Sequence, residues 1–278
     1  MQYVFFGTPR FAETILKKLI DAGMPPSLVV TNPDRPVGRK QVITPPPVKM
    51  LAEKNGIPVM QPESLVNFKF EIRNSKPDFA ILASYGKIVP KEVIDLFPKG
   101  IVVVHPSLLP KYRGATPMQS VILNGDEETG ATLILMDEKV DHGPILARQE
   151  LEFPISNFQF PKLHNALAEL SASLLIETLP GFERGEVTPV PQDESEATYT
   201  KKFSSEDAFV DHGDLEKAER EGGETAVLID RKIRALNPEP GVWTIEDGKR
   251  IKLLEGEIRD GTLRLKKIQR EGGTPIAC

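Results

Sequence analysis

Hydrophobic positions in the first half of the chain fall into two alternating kinds of run. Residues 3–6, 28–31, 58–60, 79–84, 101–105 and 132–136 are short apolar segments rich in Val, Ile and Phe. Several are uninterrupted, which predicts strands covered on both faces. Between them lie amphipathic segments at 9–22, 48–55, 91–96 and 116–123, the first placing Phe11, Ile15, Leu16 and Leu19 on one helical face. A last helix is expected over 162–179, ending before Pro180-Gly181. Alternation of this kind predicts an α/β fold with a mostly parallel sheet, whose ligands gather at the carboxyl ends of the strands.

The pattern then changes. Residues 185–202 begin polar and proline-bearing, without helical period, and are expected to link two domains. Beyond them, 226–236 reads as a helix and 242–245, 250–254 and 262–268 as strands, punctuated by Asp247-Gly248 and Asp260-Gly261 turns. The expected division is 1–184, the 185–202 linker, and a small β-rich module at 203–278.

Composition narrows the class. With 278 residues, 40% hydrophobic and 27% charged, the chain is an ordinary globular sequence. Its single cysteine, Cys278, excludes a disulfide framework and a cysteine-based zinc site and suits a reducing compartment. No apolar run reaches membrane-spanning length and the start lacks a basic leader, so a cytoplasmic protein with no membrane partner is expected. The net charge of −5 argues against non-specific coating of nucleic acid. It is an average, however: 203–230 holds two basic and nine acidic residues, 231–270 eleven basic and six acidic. A mixed solvated surface or a basic face for a polyanion both fit.

The turn after the first strand, Gly7-Thr8-Pro9, has one glycine where a dinucleotide fingerprint needs three, so a nicotinamide cofactor is not expected. The densest constellation is 102–117, with Asp141-His142-Gly143 downstream. His105 closes an apolar strand, Pro106 turns the chain out of the sheet, and a carboxylate such as Asp141 can orient the imidazole for proton transfer. Alone, this spacing decides little. A histidine at a strand end is as readily a structural residue, and Asp-His-Gly as readily a turn.

The whole run His-Pro-Ser-Leu-Leu-Pro-x-Tyr-Arg-Gly-Ala-x-Pro at 105–117 resembles the signature of the 10-formyltetrahydrofolate-dependent formyltransferases. Asp141-His142-Gly143 falls at that family's Asp-x-Gly element. Segments 5–12, 32–49, 83–88, 192–199 and 233–238 extend the resemblance over nearly the whole chain, toward those members that act on methionyl initiator tRNA. The resemblance implies a Rossmann-like formyltransferase domain followed by an OB-like β-barrel domain, here shortened, that helps hold tRNA. It implies formyl transfer from 10-formyltetrahydrofolate to the α-amine of methionyl initiator tRNA, by a monomer without a metal. His105 then corresponds to the catalytic imidazole and Asp141 to its partner, while Ser107, Leu108, Leu109 and Pro110 receive the folate.

One position departs from the pattern. The family has Asn-x-His, and here the residue two before His105 is Val103. Residues i and i+2 of a strand share a face, so an isopropyl group stands where an amide donor is expected. Loss of such a donor costs about 10²–10³ in turnover. His142, where the family has a small residue, is the candidate compensating donor; a slow enzyme, a non-catalytic folate- or tRNA-binding protein, and a formyl-folate hydrolase are the other readings. For tRNA, the basic loop carrying Arg35, Arg39, Lys40 and Lys49 is expected to meet the acceptor-arm phosphates, a surface loop without that role being the alternative. A sugar-nucleotide N-formyltransferase is the nearest rival function.

Overall fold

A computed structural model describes residues 1–38, 40–66, 77–152 and 158–278. The strands in chain order are β1 (Tyr3–Gly7), β2 (Leu28–Val30), β3 (Arg35–Val37), β4 (Val42–Thr44), β5 (Val59–Met60), β6 (Phe79–Ala83), β7 (Ile101–His105), β8 (Arg113–Gly114), β9 (Gly130–Leu135), β10 (Ile145–Glu150), β11 (Tyr199–Thr200), β12 (Trp243–Glu246), β13 (Lys249–Arg259), β14 (Thr262–Arg270) and β15 (Ile276–Ala277); the apolar runs of the first half become β1, β2, β5, β6, β7 and β9. Contacts divide the chain into two units, and these interleave along the sequence where a single cut had been expected. The first gathers Met1–Arg113, Gly130–Leu151 and Asn165–Thr198; the second gathers Gly114–Thr129, Glu152–His164 and Tyr199–Cys278.

In the first unit seven strands form one sheet in the order β10-β9-β7-β6-β1-β2-β5. The pairs β1–β2, β1–β6, β2–β5 and β6–β7 are parallel, and β7–β9 and β9–β10 antiparallel. The mostly parallel sheet is therefore present, and every residue of β1 and β7 is buried, as runs without alternation require. The parallel strands bring Gly7, Val30, Ala83 and His105 to one edge. There Asn32 Nδ2 donates to the Tyr85 carbonyl over 2.9 Å, tying the turn after β2 to that after β6.

Three features differ from the sequence pattern. β10 was not anticipated, because its polar Arg148, Gln149 and Glu150 give an edge strand little apolar signal. The helix expected to stop at 179 runs Phe160–Arg184 with Pro180 inside it. Proline removes the donor for the carbonyl of Ile176, but packing outweighs that loss: Leu179 and Phe182 are buried, Phe182 meets Phe79 edge-on at 5.5 Å, and Lys99 donates to the Glu183 carbonyl. The stretch expected as a linker is packed as far as Thr198, with Val190 and Ile145 exchanging backbone bonds of 2.7 and 2.8 Å.

In the second unit, β12-β13-β14-β15 form a four-stranded antiparallel sheet. Asp247 and Gly248, and Asp260 and Gly261, all have φ between 48° and 78°, which makes both hairpins the two-residue turns their sequences favour. Helix Gly223–Leu236 packs on this sheet and on helix Pro117–Asn124. Helix His212–Arg220, absent from the apolar pattern, is started by Asp211, whose side chain accepts from the backbone of Gly213 and Asp214. Among the described residues no helix is long and apolar enough to cross a membrane.

Candidate active site

His105 ends β7 with 4% of its surface exposed. Its Nε2 lies 2.9 Å from the carbonyl of Tyr112, which can only accept, so Nε2 carries a hydrogen and donates it. Nδ1 lies 3.5 Å from Asp141 Oδ2. The ring is thus pinned on one side by a backbone carbonyl, and the nitrogen left for proton exchange faces a carboxylate. Both anchors sit at unusual backbone: Tyr112 has φ +65° and Asp141 φ +49°, conformations held only where surrounding bonds require them.

Those bonds come from the 185–202 segment, whose composition reads as a linker. Gln192 Nε2 donates to the carbonyls of Asp141, at 2.9 Å, and Gly143, at 2.8 Å. Its Oε1 accepts from Arg113 Nε and Nη2 at 3.1 and 2.8 Å. Arg113 is fully buried and forms a bidentate pair with Glu194 at 3.0 and 2.6 Å. Gly143 completes the loop, since a Cβ there would overlap the Leu135 carbonyl oxygen.

The guanidinium of Arg113 holds the Glu194 carboxyl below the usual carboxylate range. A carboxyl titrating lower in the folded than in the unfolded chain stabilises the fold above its unfolded value, and that stability is lost as pH falls through the folded value. Glu194→Gln is therefore expected to lower Tm on the neutral plateau and to flatten the acid limb below about pH 4.5, so that the two Tm-against-pH curves converge as pH falls. Parallel acid limbs for the two proteins would show the pair to be without effect.

Ser107, Leu108, Leu109 and Pro110 form a stiff wall beside His105. Ser107 Oγ donates to the Lys111 carbonyl at 2.7 Å. Thr132, opposite His105 in the β7–β9 register, donates through Oγ1 to the Ser107 carbonyl and accepts from the Leu109 N–H. Arg148 donates to the Leu109 carbonyl at 3.0 Å. Ser107, Leu109 and Pro110 are buried, whereas Pro106 and Leu108 stay half-buried. The polar groups of the segment largely serve its own rigidity, and Pro106 and Leu108 leave apolar surface accessible.

Val103 is 6% exposed and packs with Leu109, Ile134, Leu82, Met136 and Ile145. Its surroundings are those of a core aliphatic. His142 is not aimed at this spot: its Nδ1 lies 2.5 Å from Asp137 Oδ2 and its Nε2 3.5 Å from Glu194 Oε1. Both ring nitrogens face carboxylates.

The basic loop expected at the acceptor arm contains the β3–β4 hairpin, with Arg35 and Lys40 exposed. Arg39 lies outside the described residues. Lys49 is committed to Asp34, 2.9 Å from both carboxylate oxygens, and Gln61 and Lys49 together hold that carboxyl below its ordinary range. The basic 231–270 segment is compensated in part: Lys266 pairs with Glu257, Lys267 with Glu255, Arg270 with Glu246 and Arg234 with Asp230. Arg250 lies over the Trp243 ring, 4.1 Å from its centroid.

Of the residues singled out in the sequence, the structure brings His105 and Asp141 together beside Ser107–Pro110. Tyr112, Thr132, Arg148, Arg113, Gln192 and Glu194, which hold them there, carry no local signal beyond their place in or near the motif segments.

The formyl transferase family model matches residues 1–179, and the formyl transferase carboxyl-terminal domain model matches 223–261. A methionyl-tRNA formyltransferase of Heliobacterium modesticaldum is 39% identical over 95% of this chain and 81% of its own. The structure resembles a methionyl-tRNA formyltransferase from Clostridium thermocellum, with TM-score 0.65 and 16% identity over 98% of this chain and all of that one. It also resembles HypX from Aquifex aeolicus in complex with tetrahydrofolic acid, with TM-score 0.69 and 19% identity over 100% of this chain and 46% of that one. By sequence over almost its whole length, this chain belongs to the formyltransferase family, among the methionyl-tRNA formyltransferases.

Proposed function

We propose that this chain formylates the α-amine of methionyl initiator tRNA with 10-formyltetrahydrofolate, and that it does so slowly because Val103 leaves one donor missing. The carrying observation is the His105–Asp141 pair, with the imidazole fixed by Tyr112 so that Nδ1 faces the carboxylate.

The co-substrate supplies a formyl carbon bonded to a folate nitrogen. Transfer forms a bond from the amine nitrogen to that carbon and breaks the bond to the folate nitrogen, so a proton must leave the first nitrogen and one must reach the second. His105 Nδ1 takes the first and returns it to the second, and Asp141 stabilises the ring while it is doubly protonated. Pro106 and Leu108 receive the flat ring system. What this chain lacks is the amide that would stabilise negative charge developing on the formyl oxygen. Arg35 and Lys40 are the exposed cations of the β3–β4 hairpin on which phosphate contact rests. Arg39 adds a further charge in the sequence, whereas Lys49 acts through Asp34.

The test is an assay of purified protein with 10-formyltetrahydrofolate and three acceptors in parallel: methionyl initiator tRNA, an amino-sugar nucleotide and water. Slow but folate-dependent formyl-methionyl-tRNA formation is expected. Faster formylation of the amino sugar, formate release without tRNA, or folate binding with no turnover would each replace this reading by a different one.

A further inference from the structure

The reading just given requires Asp141 to stand beside His105, and the residue that puts it there comes from neither motif. We infer that Gln192 is a positioning residue for the transfer reaction, setting Asp141 against His105 by holding the loop that carries it. This rests on the pairing of His105 with Asp141 as the reacting pair.

Asp141 has φ +49°, which an L residue adopts at a cost and keeps only under constraint. Two carbonyls of its loop, those of Asp141 and Gly143, are gripped by the single amide of Gln192 at 2.9 and 2.8 Å. A side-chain amide carries a donor end and an acceptor end. The acceptor end is occupied by the Nε and Nη2 of Arg113, so the amide cannot be reversed without setting NH₂ against guanidinium. Arg113 is in turn fully buried and fixed by Glu194. The sense of the Gln192 amide, and with it the height of Asp141 relative to the ring, is therefore imposed by a buried cation.

Glutamate at 192 would satisfy Arg113 but turn an acceptor toward two carbonyls. Methionine would keep the length and remove both interactions. In both cases Asp141 is released from its position while substrate surfaces are untouched.

Gln192→Met and Gln192→Glu are to be compared with Asp141→Asn in the full chain. The first readout is independent of turnover: the ring resonances of His105 at fixed pH, assigned with His105→Gln among the four histidines of the sequence. They are expected to move in both Gln192 variants in the direction that Asp141→Asn moves them. The second is steady-state kinetics, where kcat is expected to fall about 10–100-fold, as for a displaced reacting group, with KM for tRNA and folate within about twofold, the mark of an interaction realised only in the transition state. His105 resonances at their wild-type positions in both variants would overturn the positioning role. Resonances that move while kcat holds would leave Asp141's placement by Gln192 standing and overturn instead the reading of His105 and Asp141 as the reacting pair. Should Gln192→Met fold poorly, Gln192→Glu, which retains the Arg113 contact, carries the comparison.

Discussion

Replacing His105 by glutamine is expected to lower kcat by about 10²–10⁴-fold, the range for losing a positioned acid-base group. Glutamine is near in length and its amide can still donate to the Tyr112 carbonyl, where His105 Nε2 donates over 2.9 Å. The fold should therefore survive, and the thermal midpoint should move by only a few degrees, since about 1 kcal/mol corresponds to a shift of a few degrees in a chain this long. What glutamine lacks is a nitrogen that can take a proton from an amine and hold it beside Asp141. A variant retaining more than a tenth of wild-type kcat would mean that His105 is a structural end to β7. That is the reading its position alone left open.

That ambiguity measures what was legible in the sequence. Strands β1, β2, β6 and β7 were visible because they are apolar on both faces, so burial writes itself into consecutive residues. The two β-hairpins of the second unit were visible because Asp-Gly turns demand positive φ. Polar constraints acting across long separations were not. Arg113 and Gln192 are 79 residues apart, and nothing in the local pattern around either marks the bond. Arg113 would pass for a surface cation within the motif, although it is fully buried, and Lys49 for a free one, although Asp34 neutralises it. The helix runs through Pro180 because the contact of Phe182 with Phe79, distant in sequence, overrides the local preference of proline to end it. Periodicity reports which face of an element is apolar; it does not report which buried polar group waits for a partner elsewhere.

Val103→Asn is expected to raise kcat by about 10²–10³-fold, restoring the donor whose loss carries that penalty. The gain comes with a loss. Val103 is 6% exposed among Leu82, Leu109, Ile134, Met136 and Ile145, and an amide set among aliphatic side chains without full hydrogen bonding costs about 1–3 kcal/mol. The variant should thus be faster and less stable at once, measurable as a higher single-turnover rate and a lower denaturation midpoint. With valine, by contrast, β7 packs as a core strand up to its last residue. Should an active wild type be matched by Val103→Asn, some other donor already serves the formyl oxygen, and a loss of at least tenfold in His142→Ala would identify it as His142. The geometry weighs against that outcome. His142 has Asp137 2.5 Å from Nδ1 and Glu194 3.5 Å from Nε2, so freeing either nitrogen would break a contact within the network that holds Arg113.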